Sequence, residues 1–189
     1  MAYRILFDRH NYLVFDISPH EIKAKYGHPF ALQDNPTRLW AEDWKEINAT
    51  FRDDSDQKTA VYPPQITTWF IHELVLNQAA YEAIGDQLKN SCEILPVNCD
   101  GTTYWLCHIT ARLGLDVVDL KNSERTIDIT DYIEATKITF LEDKINNLVF
   151  KTEYNGYQNI YCTEEFKSLV ESHDLKGLIF SENMATVPV

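Results

Sequence analysis

Asp116, Asp119 and Glu124 stand close together in the middle of the chain. An acid set of this kind could hold a divalent cation that activates water, as in a metal-dependent hydrolase. The spacing argues against convergence. If Asp116-Val117-Val118-Asp119-Leu120 is a strand, its two aspartates, three apart, face opposite sides. No histidine stands beside them to complete a ligand set, so capping or structural roles fit better. Cys107-His108 places a thiol next to an imidazole, but neighbours on a strand also point apart. Cys92, Cys99, Cys107 and Cys162 lack the paired spacing of a zinc module and read as reduced, buried thiols. No Gly-x-Ser-x-Gly elbow occurs, and the 6 glycines form no phosphate loop. The run RDDSDQK, with Asp53, Asp54 and Asp56, lacks the glycine and closing glutamate of a calcium loop. The expectation is no catalytic residue, no metal and no cofactor.

The elements behind these residues read as an α+β fold, a mainly antiparallel sheet packed with about three helices. In the last third, Ile160-Tyr161-Cys162 is an apolar run. Thr163, Glu164 and Glu165 then supply a helix cap and acidic first turn. Phe166, Leu169, Val170 and His173 recur on one helical face, Gly177 ends the segment, and Leu178-Ile179-Phe180 returns as a strand. Earlier, residues 4–8 and 12–17 suggest a hairpin around Arg9-His10-Asn11. His20 to Asn35 reads as a loop with a helical turn after Pro19. Trp40, Trp44, Ile47 and Phe51 have near-helical spacing, which predicts an amphipathic helix from Thr37 with its tryptophans in the core. Residues 66–76 read as one long strand, followed by a helix capped by Asn77. Strands at 92–97 and 102–110 flank Asp100-Gly101, a dipeptide suited to a tight turn, and the second should keep one face partly open. Segments 137–141 and 148–154 suggest another hairpin. Tyr62-Pro63-Pro64 marks a seam, so the 189 residues read as a single domain with a possible N-terminal lobe at 1–60 and a main body at 61–189.

Charge narrows the function class. Seventeen basic against 29 acidic side chains give a net −12, which repels nucleic acid and anionic membrane and favours basic partners. The excess is densest in residues 61–135, with 11 acidic and 4 basic side chains. No stretch is long and apolar enough to span a bilayer or serve as a secretion signal, so a cytoplasmic protein is expected.

Two blocks carry a family resemblance. Near the C-terminus, Tyr161-Cys162-Thr163-Glu164-Glu165-Phe166-Lys167 is followed by Leu175-Lys176-Gly177-Leu178-Ile179-Phe180. Before it, Leu95-Pro96-Val97, Tyr104-Trp105 and the run from Asp116 to Glu124 keep the same order. Together these resemble a bacterial immunity-protein family associated with polymorphic toxins and secretion systems, over roughly residues 66–182. The resemblance implies a non-catalytic inhibitor that binds and neutralises a cognate toxin or effector, one expected to be basic on its contact surface. On that reading, the contact residues expected are Glu82 and Asp86 on the exposed side of the middle helix, with Glu124, Asp128, Asp131 and Glu134 farther along. A scaffold or adaptor protein, and the hydrolase built on Asp116, Asp119 and Glu124, are the alternatives. Oligomeric state is left open.

Overall fold

In the computed structural model, residues 1–71 and 73–185 are described. The elements in chain order are β1 (Ala2–Phe7), β2 (Val14–Asp16), α1 (Pro19–Tyr26), α2 (Ala31–Asp34), β3 (Ile47–Arg52), β4 (Ile66–Trp69), β5 (Glu73–Leu76) and α3 (Gln78–Leu88). There follow β6 (Cys92–Cys99), β7 (Thr102–Ile109), β8 (Arg112–Leu113), β9 (Glu124–Ile127), β10 (Ile133–Lys137), β11 (Val149–Thr152), β12 (Tyr161–Thr163), α4 (Glu164–Ser172) and β13 (Leu178–Ser181). The fold is α+β, with four α-helices where about three were expected. A six-stranded sheet runs β2-β3-β6-β7-β5-β4, and a five-stranded sheet runs β13-β1-β12-β11-β8. Only the pairs β3–β6 and β8–β11 are parallel among these strands. The strands β9 and β10 form a separate antiparallel hairpin.

Alternate side chains of the six-stranded sheet feed two cores. Leu74, Leu76, Cys107 and Ile109 pack with Ile84 and Leu88 of α3 and Phe166 of α4. Val75, Tyr104 and Leu106 face the other way, toward Ile22 of α1, Leu32 of α2 and Trp40. A strand covered on both faces has no polar side to show, which is why β5 runs Glu-Leu-Val-Leu without alternation. The partly open face expected of β7 is the one that carries Thr103, exposed, and Trp105, half-buried, while Tyr104, Leu106 and His108 are buried on the other face. A third cluster, centred on Phe140, Phe150 and Tyr161, supports the foot of the β9–β10 hairpin through Ala135.

The local signals at the C-terminus hold. Thr163 accepts the Phe166 N–H at 3.4 Å, Phe166 and Val170 are buried, and Asp174 and Gly177 adopt the positive φ that turns the chain into β13. His173 lies outside the buried stripe, exposed at the helix end. The strand that fits between β12 and β13 comes from far upstream, since β1 pairs antiparallel with both. The β1–β2 hairpin is thereby overturned. Asp8 closes a turn by accepting the N–H groups of His10 and Asn11, and β2 departs to pair with β3 in the other sheet.

Five further expectations are corrected. The helix from Thr37 is absent: Trp40 and Trp44 gather around the Tyr26 ring at 5.1 and 6.0 Å, in the core as expected but from irregular chain. The β-branched and aromatic residues after them form β3, parallel to β6, where β-propensity and sheet pairing prevail over the four-residue spacing. The single strand 66–76 is two, β4 and β5, reversing near Phe70 at φ 50° so that Trp69 pairs with Glu73. Residues 20–35 hold two helices, the first capped by Ser18 and ended by Gly27 at φ 82°. Segment 115–117 is a 3₁₀ turn rather than a strand, and 148–154 pairs with β12 and β8 instead of 137–141.

Candidate functional site

Four of the expected contact acids lie on one element, the β9–β10 hairpin. Register opposes Thr126 to Glu134 and Arg125 to Ala135. Ala135 is fully buried, and Arg125 lies 4.6 Å over the Tyr154 ring and donates to the Tyr154 carbonyl at 2.7 Å. These two pin one face of the hairpin to the body. By the two-residue period of a strand, Glu124, Thr126 and Glu134 then take the opposite, solvent face, and all three are exposed.

The turn is built by Asp128. Its Oδ1 accepts the N–H of Thr130 at 2.7 Å, the Thr130 hydroxyl at 2.7 Å and the N–H of Tyr132 at 3.0 Å. These bonds, the hydroxyl first, hold its carboxyl below the usual range. Asp131 occupies the left-handed region at φ 61°, a conformation that aspartate tolerates better than most residues. Between the acids the turn presents Ile127, Ile129 and Tyr132 to solvent, and Ile129 is fully exposed. Sequence reasoning missed these three; the alternation Ile-Asp-Ile-Thr-Asp-Tyr-Ile was the available signal, with acids and apolar residues interleaved about a turn-forming aspartate. Among the described residues, Glu124, Asp128, Asp131 and Glu134 take part in no ion pair.

Glu82 and Asp86 stand elsewhere, exposed on α3, whose buried face joins a different core cluster from the hairpin's. Both already have neighbours on their own helix. Asp86 pairs with Lys89 at 2.6 Å, and Glu82 accepts the Gln78 amide at 2.8 Å. The Tyr81 ring beside them stacks on Trp105 at 4.1 Å and fits only because residue 85 is glycine.

The hydrolase set does not assemble. Asp119 spends its carboxylate on a turn, accepting the Lys121 N–H and the Asn122 amide, and Asp116 sits exposed on the 3₁₀ turn. Among the described residues, no group of three or more His, Cys, Asp or Glu comes together as metal ligands. Cys107 and His108 face opposite cores, the thiol beneath α3 and the imidazole toward Glu73. All four cysteines are free and buried, and burial pushes the thiols of Cys92, Cys107 and Cys162 far up.

Glu73 and His108 form a buried polar pair that the sequence did not announce. Pairing of β5 with β7 sets them side by side, with Nδ1 of His108 at 2.9 Å from Oε1 of Glu73, while Oε2 accepts the Ile109 N–H at 2.7 Å. The other ring nitrogen of His108 is buried without a partner among the described residues, and the carboxylate beside Nδ1 accepts, so Nδ1 is the donor. Beside this pair opens a cavity of about 250 Å³ where the two sheets meet.

Comparison with known families bears on the competing readings. Residues 94–185 match the Immunity protein family (Imm11). The match supports assignment to an immunity protein family, in agreement with the resemblance carried by the two sequence blocks. A comparison with curated proteins finds no match. The Imm11 span runs from within β6 to the last described residues, so it contains the whole β9–β10 hairpin and excludes α3. Among the described residues no helix is long and apolar enough to cross a membrane.

Proposed function

We propose that this chain is a non-catalytic immunity protein that binds and neutralises a cognate bacterial toxin, with the β9–β10 hairpin at the centre of its contact surface. One observation carries the reading. Within the family-matched span, a pinned hairpin projects three exposed apolar side chains among four carboxylates that form no ion pair among the described residues. Apolar anchors ringed by charge are how tight protein interfaces divide their labour, the anchors supplying affinity and the rim supplying steering and register. The net charge of −12 makes a basic toxin surface the natural complement.

Inhibition of this kind asks nothing of a nucleophile or general base. It asks for a surface that is already in shape before the toxin arrives, since ordering a loop on binding subtracts from affinity. Arg125, Ala135 and the Asp128 turn supply that order. Glu82 and Asp86 are proposed as peripheral contacts only, because Asp86 is already compensated by Lys89.

The test is co-purification with the toxin encoded beside this gene, followed by rescue of cells that express that toxin. Wild-type chain should capture the toxin and restore growth. Ile129→Asp, a change at a fully exposed side chain, should leave the melting temperature intact and abolish rescue. Full rescue by Ile129→Asp together with Tyr132→Ala would remove the hairpin from the interface. Failure of the wild type to capture or protect would remove the immunity reading itself.

A further inference from the structure

The cavity at the junction of the two sheets is unlike the rest of this acidic surface. Arg112 and Lys151 are direct partners on the parallel strands β8 and β11, and both line it. Lys151 is 5% exposed and lines the cavity, and among the described residues its ammonium makes no hydrogen bond or ion pair. Arg112 lies 3.7 Å over the ring of Tyr157, and among the described residues its guanidinium has no carboxylate in ion-pair contact, although it feels the field of Glu73. Glu73 reaches the same space, but its two oxygens are held by His108 and the Ile109 N–H. A buried cation without an ion-pair partner is costly, and the half-buried guanidinium of Arg112 beside it adds a like charge. An arriving anion relieves both. Leu32 and Trp69 supply apolar lining, with the amides of Gln33 and Gln158 also at the cavity.

We propose that this cavity binds a small anionic molecule, its phosphate or carboxylate group seated between Arg112 and Lys151 and its apolar part against Leu32 and Trp69. The volume, about 250 Å³, falls just below the usual range of small-molecule sites, so the ligand is compact. Burial lowers the Lys151 pKa, opposed by the field of Glu73, and a bound anion would restore the charged form. The site differs from the toxin surface in charge, element and occupant.

Phenyl phosphate and benzoate are suitable probes, with inorganic phosphate as the headgroup alone. Each is titrated into the full chain at constant ionic strength, without toxin, by calorimetry and thermal melting. At least one probe should raise the melting temperature in a saturable way. Arg112→Gln should weaken binding at least tenfold while leaving the fold intact, since Arg112 is only half-buried, and Lys151→Met should do the same. Binding of phenyl phosphate alone identifies a phosphate ester as the class, binding of benzoate alone a carboxylate, and binding of both a general anion site. No saturable binding at 10-fold or greater excess up to the millimolar range, or equal binding by Arg112→Gln, overturns the proposal. Neither result touches the hairpin reading, which has its own assay.

Discussion

The proposed toxin contact has one sharp quantitative consequence, electrostatic steering by the hairpin. Asp128 is unsuitable for charge reversal, because its carboxylate makes the three bonds of the turn, and Glu124 faces Lys137 across the strands. Glu134 is opposite neutral Thr126. The informative variant is therefore Glu134→Lys with Glu124→Gln. With each carboxylate about 8 Å from a toxin cation in the encounter complex, one pair is worth about 0.5 kcal/mol in water. One reversal and one neutralisation then remove about 1.5 kcal/mol before screening. At physiological salt the Debye length is about 8 Å, leaving roughly 0.55 kcal/mol, or about 2.5-fold in association rate. At 0.01 M salt the loss rises to about 7-fold, and at 1 M it falls below about 1.2-fold. Stopped-flow association across this salt series is the assay, with the dissociation rate changing far less. Stability should shift by no more than about 0.5 kcal/mol, since both side chains are exposed and lack ion-pair partners. A variant that associates as fast as wild type at 0.01 M salt, and with the same salt slope, would refute steering by this face.

Three further outcomes are expected. Gly85→Ala should fail to deliver the usual gain of about 1 kcal/mol in helix propensity, because the added Cβ lands 2.6 Å from the Tyr81 ring; a displaced Tyr81 would register as changed Trp105 fluorescence with no rise in melting temperature. The Tyr3 hydroxyl donates to Glu164 at 2.6 Å and is the main reason that carboxyl titrates below its ordinary value. Its contribution is thus present above the unfolded-state pKa and lost as pH falls through the lower folded one, so Tyr3→Phe should flatten the acid limb of a urea-stability profile. The four buried thiols should resist a disulfide reagent in the native chain and react together once it is unfolded in guanidinium; rapid native reaction of Cys107 or Cys162 would contradict their burial.

What the sequence revealed and what it hid divide by range. Thr163, Phe166, Val170 and Gly177 announced α4 and its exit because capping and helical period are local. Asp100-Gly101 likewise announced the β6–β7 turn, where both residues have positive φ. The partner of β1 could not be read, since nothing near Tyr3 or Ile5 points to β12 and β13, and the short Arg9-His10-Asn11 connection imitated a hairpin. Trp40 and Trp44 misled differently: four-residue spacing fits a helix as well as two rings closing on Tyr26. At the surface, Glu124, Asp128, Asp131 and Glu134 were visible as charge. The distinction between Asp128 as turn-builder and Glu134 as an exposed acid without an ion pair was not. Glu73, Arg112 and Lys151 gave no signal because three separate strands bring them together.

The placement of β1 also sets a timetable. Tyr3 and its partner Glu164 are 161 positions apart, so an apolar six-residue strand waits unpaired while the ribosome adds that length of chain. At about 5–20 residues per second this lasts about 8–32 seconds. Until β12 and β13 emerge, the five-stranded sheet lacks its inner strand. On the immunity role proposed above, protection against a poison made in the same cell starts only after this delay, which favours translating the guardian ahead of the weapon.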